Sequence, residues 1–434
     1  MPLSVAERNI AGLHAALRRK PLFYWGEKVL LVLANGYIGT GLDGRASRFD
    51  FGPVNTFVSY NAVEGLRLRC GGMTTAALSP HIFGRGYAAY GFHDHRWKYM
   101  LEGEYSFDAK PLHAREFPVH SLRLTHSYDI DMIGQRYLFT NPDNIFLSLK
   151  RKESYLATYR RLSMLEYTRE LRNGFSVVAG FRHETRYATP WVPFIDGEGR
   201  SMSSLRNATF FLRLRYAPGE TFVQGRTSRA PINMDAPIFQ LTQEYGPCGF
   251  LGSAYSVNIT EVSAFKRFWF SAFGYADVTL KAGIVWSRVQ FPSLLWPNAN
   301  LSYTIQPESY SLMNPMEFAN DRYASLDLTY WLNGLIFNRI PLIKRAKLRE
   351  VFTFRLLEGG LSDKNNPSLN PSLLRFPAGE SQSRAMTSTP YMEIGAGLDN
   401  IFTILRIDYV WRLTYLDRPG IDRSGLRISL HFSF

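Results

Sequence analysis

The chain has 434 residues, of which 45% are hydrophobic, 15% aromatic and 20% charged, and its formal net charge is +13. The longest uninterrupted apolar run, Val29 to Ala34, is far short of the ~18 residues a membrane-spanning helix requires, so helical spans are excluded. The many large apolar residues and the lack of a strict glycine period exclude a disordered or collagen-like chain.

The first residues have helical character. Ser4 and Glu7 have capping-box spacing, and Ile10, Leu13 and Leu17 follow at helical intervals until Pro21. A second apolar stretch runs from Leu22 to Leu33. Glu7, Arg8, Arg18, Arg19 and Lys20 interrupt any secretory apolar core, so an exported protein would have its true beginning, with its signal peptide, outside this sequence. Residues 1–46 are expected to form a short periplasmic helical and linker segment, and residues 47–434 the main domain.

From residue 47 the period changes to two. Leu66 and Leu68 oppose Arg67 and Arg69; Trp97, Tyr99, Leu101 and Tyr105 oppose Lys98, Glu102 and Glu104. Phe210, Leu212 and Leu214 oppose Arg213 and Arg215, and Phe352, Phe354 and Leu356 oppose Thr353 and Arg355. Near the end, Leu405, Ile407, Tyr409 and Trp411 oppose Arg406, Asp408 and Arg412. The terminal segment sets Leu426, Ile428, Leu430, Phe432 and Phe434 against Arg427, Ser429, His431 and Ser433; Leu430, Phe432 and Phe434 mark it as a barrel-insertion strand. A helix cannot segregate such sets.

Sixteen segments share this pattern: 49–60, 64–73, 82–92, 97–107, 119–128, 155–171, 175–185, 207–216, 238–245, 257–270, 277–289, 323–333, 347–357, 391–398, 401–415 and 425–434. A soluble β-sandwich also alternates, but its strands average ~5–6 residues, whereas several of these runs reach about ten and end in aromatics. Such strands fit a transmembrane barrel, with the apolar face toward lipid and the polar face toward the lumen. Because lipid offers the backbone no water, such a sheet must close on itself. The fold class is therefore all-β, an antiparallel transmembrane β-barrel of about sixteen strands.

If the first strand rises from the periplasm, the long connections at 129–154, 186–206, 290–322 and 357–390 fall outside and the tight turns at 172–174, 274–276 and 399–400 fall inside. Long outer loops and short inner turns are the expected asymmetry. The 217–236 connection, long on the inner side, fits poorly.

The lumen-facing set holds Arg67, Arg69, Lys98, Arg123, Arg213, Arg215, Lys281, Arg349, Arg355, Arg406, Arg412 and Arg427, opposed by Glu102, Glu104, Asp327, Glu393 and Asp408. One reading is an ion-pair lattice that fills the barrel; the other is a surface that favours anionic solutes or holds an acidic loop. Arginines that alternate with lipid-facing residues do not make a nucleic-acid patch.

Other chemistry has little support. His93, Asp94 and His95, with His113 and His120 more distant, are metal-ligand types, but the first three sit in an expected tight turn where polar residues are ordinary, and no metal is expected. No Gly-x-Ser-x-Gly elbow or convincing triad order occurs, so no catalytic residues are assigned and the protein is expected not to be an enzyme. His126, Asp129 and Asp131, expected near the outer rim, are read as solvated residues entering a loop. Cys70 and Cys248 are expected at opposite ends of the barrel as free thiols.

The strings GPVNTFVSYNAVEGLRLRCGGMTT, FWFSAFGYADVTLKAGIVW and PYMEIGAGLDNIFTILRIDYVWRLTYLDRPGIDRSGLRISLHFSF resemble an uncharacterised outer-membrane family, domain of unknown function 5686. The resemblance covers nearly the whole chain; members usually carry a signal peptide and a carboxypeptidase-regulatory-like domain ahead of the barrel. The family is distantly similar to the BamA and two-partner-secretion superfamily, in which the loop after the eleventh strand folds into the lumen. Segment 290–322 occupies that place. The superfamily's Arg-Gly-Tyr/Phe tip motif is absent from it, and Arg85-Gly86-Tyr87 lies on another strand, so no insertase residue is carried over.

The functional expectation is a non-enzymatic outer-membrane barrel that transports or assembles envelope components. A diffusion channel for anionic solutes is the alternative, and an outer-membrane hydrolase the second. The partners implied are outer-membrane lipids, the barrel-assembly machinery during biogenesis, and an unidentified envelope protein or polymer cargo, with no nucleic acid and no cofactor. The location implied is the outer membrane of a Gram-negative bacterium.

Overall fold

Alternating apolar and charged residues, with β-branched and aromatic side chains on one side, favour extended pleated strands, and the chain forms them throughout. The computed structural model describes residues 17, 20–23, 25–26, 32, 36–41, 46–137, 141–225, 228–341, 343–378, 383–418 and 420–430. The capping-box residues Ser4 and Glu7, with Ile10 and Leu13, lie outside the described residues, as do Phe432 and Phe434.

An eighteen-stranded antiparallel sheet dominates. From Gly65–Thr74 onward each strand pairs with the next in sequence: Ile82–Gly91, Trp97–Ser106, His120–Met132, Ala157–Glu170, Phe175–Tyr187, Ser204–Tyr216 and Ile238–Gly246. The meander continues through Val257–Trp269, Tyr275–Val285, Arg322–Trp331, Arg349–Gly360, Tyr391–Ile401, Leu405–Arg412 and Ser424–Leu430. Each predicted segment overlaps a strand of this sheet.

The first segment is not continuous. It splits into Phe49–Phe51 and Val58–Asn61 around the short turn Val54–Thr56, and both pieces pair with Gly65–Thr74. Pro53 has no N–H for the ladder. Gly52 holds φ +146, where a Cβ would lie 2.7 Å from Gly36 O. A further short strand, Ile38–Gly39, pairs outside Phe49–Phe51, within the stretch read as linker.

Other differences are local. Strand His120–Met132 runs past residue 128, which draws Asp129 and Asp131 into the sheet. The ill-fitting 217–236 connection contains its own hairpin, Phe222–Gln224 with Arg229–Pro231.

The sheet's two ends approach each other without pairing directly among the described residues. Ile428 of the last strand exchanges backbone hydrogen bonds with Tyr303 O (2.8 Å) and Ile305 N (2.9 Å). Tyr303 N donates to Leu149 O at 3.0 Å, and Ser148 Oγ accepts from Tyr60 N of the first strand at 2.9 Å. Two loop segments, 146–151 and 301–305, thus stand between the last strand and the first.

Burial is inverted relative to a soluble sandwich. On Gly65–Thr74, Leu66 and Leu68 are 45% and 44% exposed while Arg67 and Arg69 are 1% and 9% exposed. The same inversion holds for Lys98 between Trp97 and Tyr99, and for Arg427 between Leu426 and Ile428. The buried apolar clusters are built largely by connections: Phe291, Leu294, Leu295, Trp296 and Met316 pack with Val192, Phe194 and Leu374.

Candidate functional site

The charged face of the sheet and the loop it holds form the candidate site. Strand register aligns opposite charges into cross-strand rows. Asp327 pairs with Arg355, Arg355 with Glu393, and Glu393 with Arg412. Glu104, Arg123 and Glu166 form a second row. Opposite charges directly across neighbouring strands attract and fix the register.

Against the first row lies connection 286–321. Residues 309–321 are all buried although they form no regular element. A buried loop without a ladder must satisfy its backbone polar groups elsewhere, and the charged face supplies partners. Glu393 accepts from Ser311 N at 2.8 Å and Leu312 N at 2.7 Å. Arg355 donates to Ser309 O, Arg427 to Ser311 O, and Arg151 to Met313 O at 2.7 Å.

The loop also contributes acids. Glu317, fully buried, pairs with Arg412 at 2.6 Å and with Arg418 at 3.4 Å, while Glu308 pairs with Lys281. Its backbone joins the surrounding strands as well: Val285 N donates to Asp321 O at 2.7 Å, and Asp321 N to Gly360 O at 2.8 Å.

A second cluster gathers under connection 133–156. Arg67 contacts Glu64 at 2.9 Å, Asp129 at 2.7 Å and Asp143 at 3.1 Å, and Arg69 contacts Asp143 at 2.6 Å. Lys98 bridges Glu64 at 2.7 Å and Asp94 at 2.5 Å. Burial pushes the Asp143 carboxyl above its usual range, against the pull of Arg67 and Arg69, and pushes the Lys150 ammonium down.

Of the predicted basic set, Arg67, Arg69, Lys98, Arg123, Lys281, Arg355 and Arg412 thus meet acids, and so do Arg406 with Asp408 at 2.6 Å and Arg215 with Glu220 at 2.7 Å. Arg427 grips the loop backbone instead. Arg213 and Arg349 lie on the same face, part-buried.

Three predicted neighbours are not brought together. Asp129 and Asp131 point inward, Asp131 to Arg186, while His126 points outward, because even and odd positions of one strand take opposite faces. They are not solvated loop residues. Asp94 is engaged by Lys98 and by Tyr159 (2.6 Å). No group of three or more His, Cys, Asp or Glu residues is placed to hold a metal among the described residues. Glu64 and Glu317 carry no signal in the sequence, whereas the alternation of segment 119–128, continued by four residues, places Asp129 and Asp131 on the inward face.

Residues 37–362 match the C-terminal domain of a family of unknown function, DUF5686. The chain belongs to this family. No curated protein sequence matches this DUF5686 chain. Among solved structures it is similar to BamA from Haemophilus ducreyi lacking POTRA domains 1–3, with 9% identity, a TM-score of 0.50, and coverage of 94% of this chain and 78% of that one. It also matches CdiB from Escherichia coli at 12% identity and a TM-score of 0.49, over 85% of this chain and 60% of that one. The likeness to BamA is a likeness of fold: an antiparallel β-meander of the outer-membrane barrel type.

Proposed function

We propose that this DUF5686 chain closes as a barrel of about sixteen strands in the outer membrane of a Gram-negative bacterium and moves or assembles an envelope component, whether polypeptide, lipid or polysaccharide. The observation that carries this reading is the loop 286–321, held across the charged face by Glu393, Arg355, Arg412 and Arg427. A diffusion channel needs an unobstructed path, and its charges must be free to meet solutes. Here most of the inward arginines are engaged by carboxylates or by the loop itself.

The exposed outer face supports the membrane setting, because contiguous apolar surface of this extent is unstable in water. The interrupted seam supports movement or assembly over passive conduction. Among the described residues, segments 146–151 and 301–305 stand where strand-to-strand pairing would otherwise run, so the joint can part without breaking a full ladder.

Planar-bilayer conductance tests the reading. The intact chain is expected to give small, irregular currents that become large and steady when residues 298–318 are replaced by a short Gly/Ser linker. Steady anion-selective conductance from the intact chain would favour the solute channel.

A further inference from the structure

The outward face is largely apolar, but adjacent strands also set polar side chains on it in one register. His126 pairs across the sheet with Ser163, and Ser163 with His183. These positions alternate with inward residues, so they share the face of Leu124, Leu165 and Phe181 two residues away. Ser163 Oγ lies 2.8 Å from His126 Nδ1, and Tyr99 OH lies 3.2 Å from His126 Nε2. The His183 imidazole has no side-chain hydrogen bond among the described residues. An unpartnered imidazole on a hydrocarbon-facing surface is costly unless something outside the chain satisfies it.

Two residues nearer the end that carries the long connections, Arg161 stands across from Tyr128. Its guanidinium lies 5.7 Å from the centre of the Tyr187 ring. Arg96 lies 4.5 Å from the centre of the Tyr159 ring and donates to Tyr128 OH at 3.3 Å. Unlike Arg67 and Arg412 on the inner face, neither guanidinium has an ion pair among the described residues. Ring-supported guanidiniums keep N–H groups free for phosphate oxygens. The Arg161 and Ser163 levels are separated by about 6.6–6.8 Å of strand rise, a span comparable to that between the phosphate and the acyl-ester carbonyls of a glycerophospholipid.

We propose that this patch seats one phosphate-bearing acyl lipid, with its phosphate between Arg96 and Arg161 and an ester carbonyl accepting from the His183 ring N–H. The chain Tyr99–His126–Ser163 satisfies the row's other polar groups among themselves and leaves His183 as the donor. This inference rests on the outward face being lipid-facing.

The full chain in detergent, with heat-dependent gel migration confirming a folded state for each variant, is titrated with phosphatidylglycerol, diacylglycerol or inorganic phosphate, and bound molecules are counted by native mass spectrometry. Phosphatidylglycerol is expected to bind in preference to diacylglycerol, about tenfold more weakly in R96L/R161L and about fivefold more weakly in H183F. Equal binding of diacylglycerol, unchanged phosphatidylglycerol binding in R96L/R161L, or displacement by inorganic phosphate with H183F unaffected would each overturn it. A chain that stays monodisperse without detergent would instead remove the barrel reading, before any lipid is added.

Discussion

The two faces of one sheet differ in what they ask of a side chain. Outward, Leu66, Leu101 and Leu124 are exposed and need only be apolar. Inward, Arg67, Glu393 and Arg412 are buried, and each must meet a particular partner. The outer face is therefore specified by composition, and the inner face by pairing. Substitutions should expose that difference.

The largest effect is expected inside. E317A leaves Arg412 and Arg418 buried without their carboxylate and should cost about 3–5 kcal/mol, read as a lowered denaturant midpoint; adding R412M should recover part of the loss. Next comes an outward change, L124R, which places a charge in the apolar band at a cost of about 2–4 kcal/mol near its middle, read by refolding into vesicles. Smallest is K281A: Lys281 and Glu308 are both part-exposed, so the pair should contribute about 0.2–1 kcal/mol. If L124R and L124A refold with equal stability, the outer face does not meet hydrocarbon. If E317A matches K281A, the loop is not held as described.

This difference also explains what the sequence makes legible. Alternation reveals the strands because every second residue answers to one solvent, and Arg355 or Lys98 can be assigned a face from two neighbours. Pairing is not periodic. Nothing in residues 309–321 announces that Ser311 and Leu312 will donate to Glu393, because the contact joins a loop to a strand more than 80 residues further along the chain. Asp129 was misplaced for a narrower reason. Its strand continues to Met132, and Ile130 and Met132 carry the apolar alternation on, but two aspartates within three residues also read as polar residues entering a loop. Pro53 shows the converse: a single residue without an N–H signals the break in the first strand.

The two native thiols give the most direct test of the claim that the apolar face contacts lipid. Cys70 is exposed on the outward face in the middle of Gly65–Thr74, and Cys248 is exposed in the connection after Gly246. In vesicles that present the long connections outward, a charged, membrane-impermeant maleimide should label Cys248 and spare Cys70, while a lipid-soluble maleimide should label both. Equal labelling of Cys70 and Cys248 by the charged reagent would contradict the account.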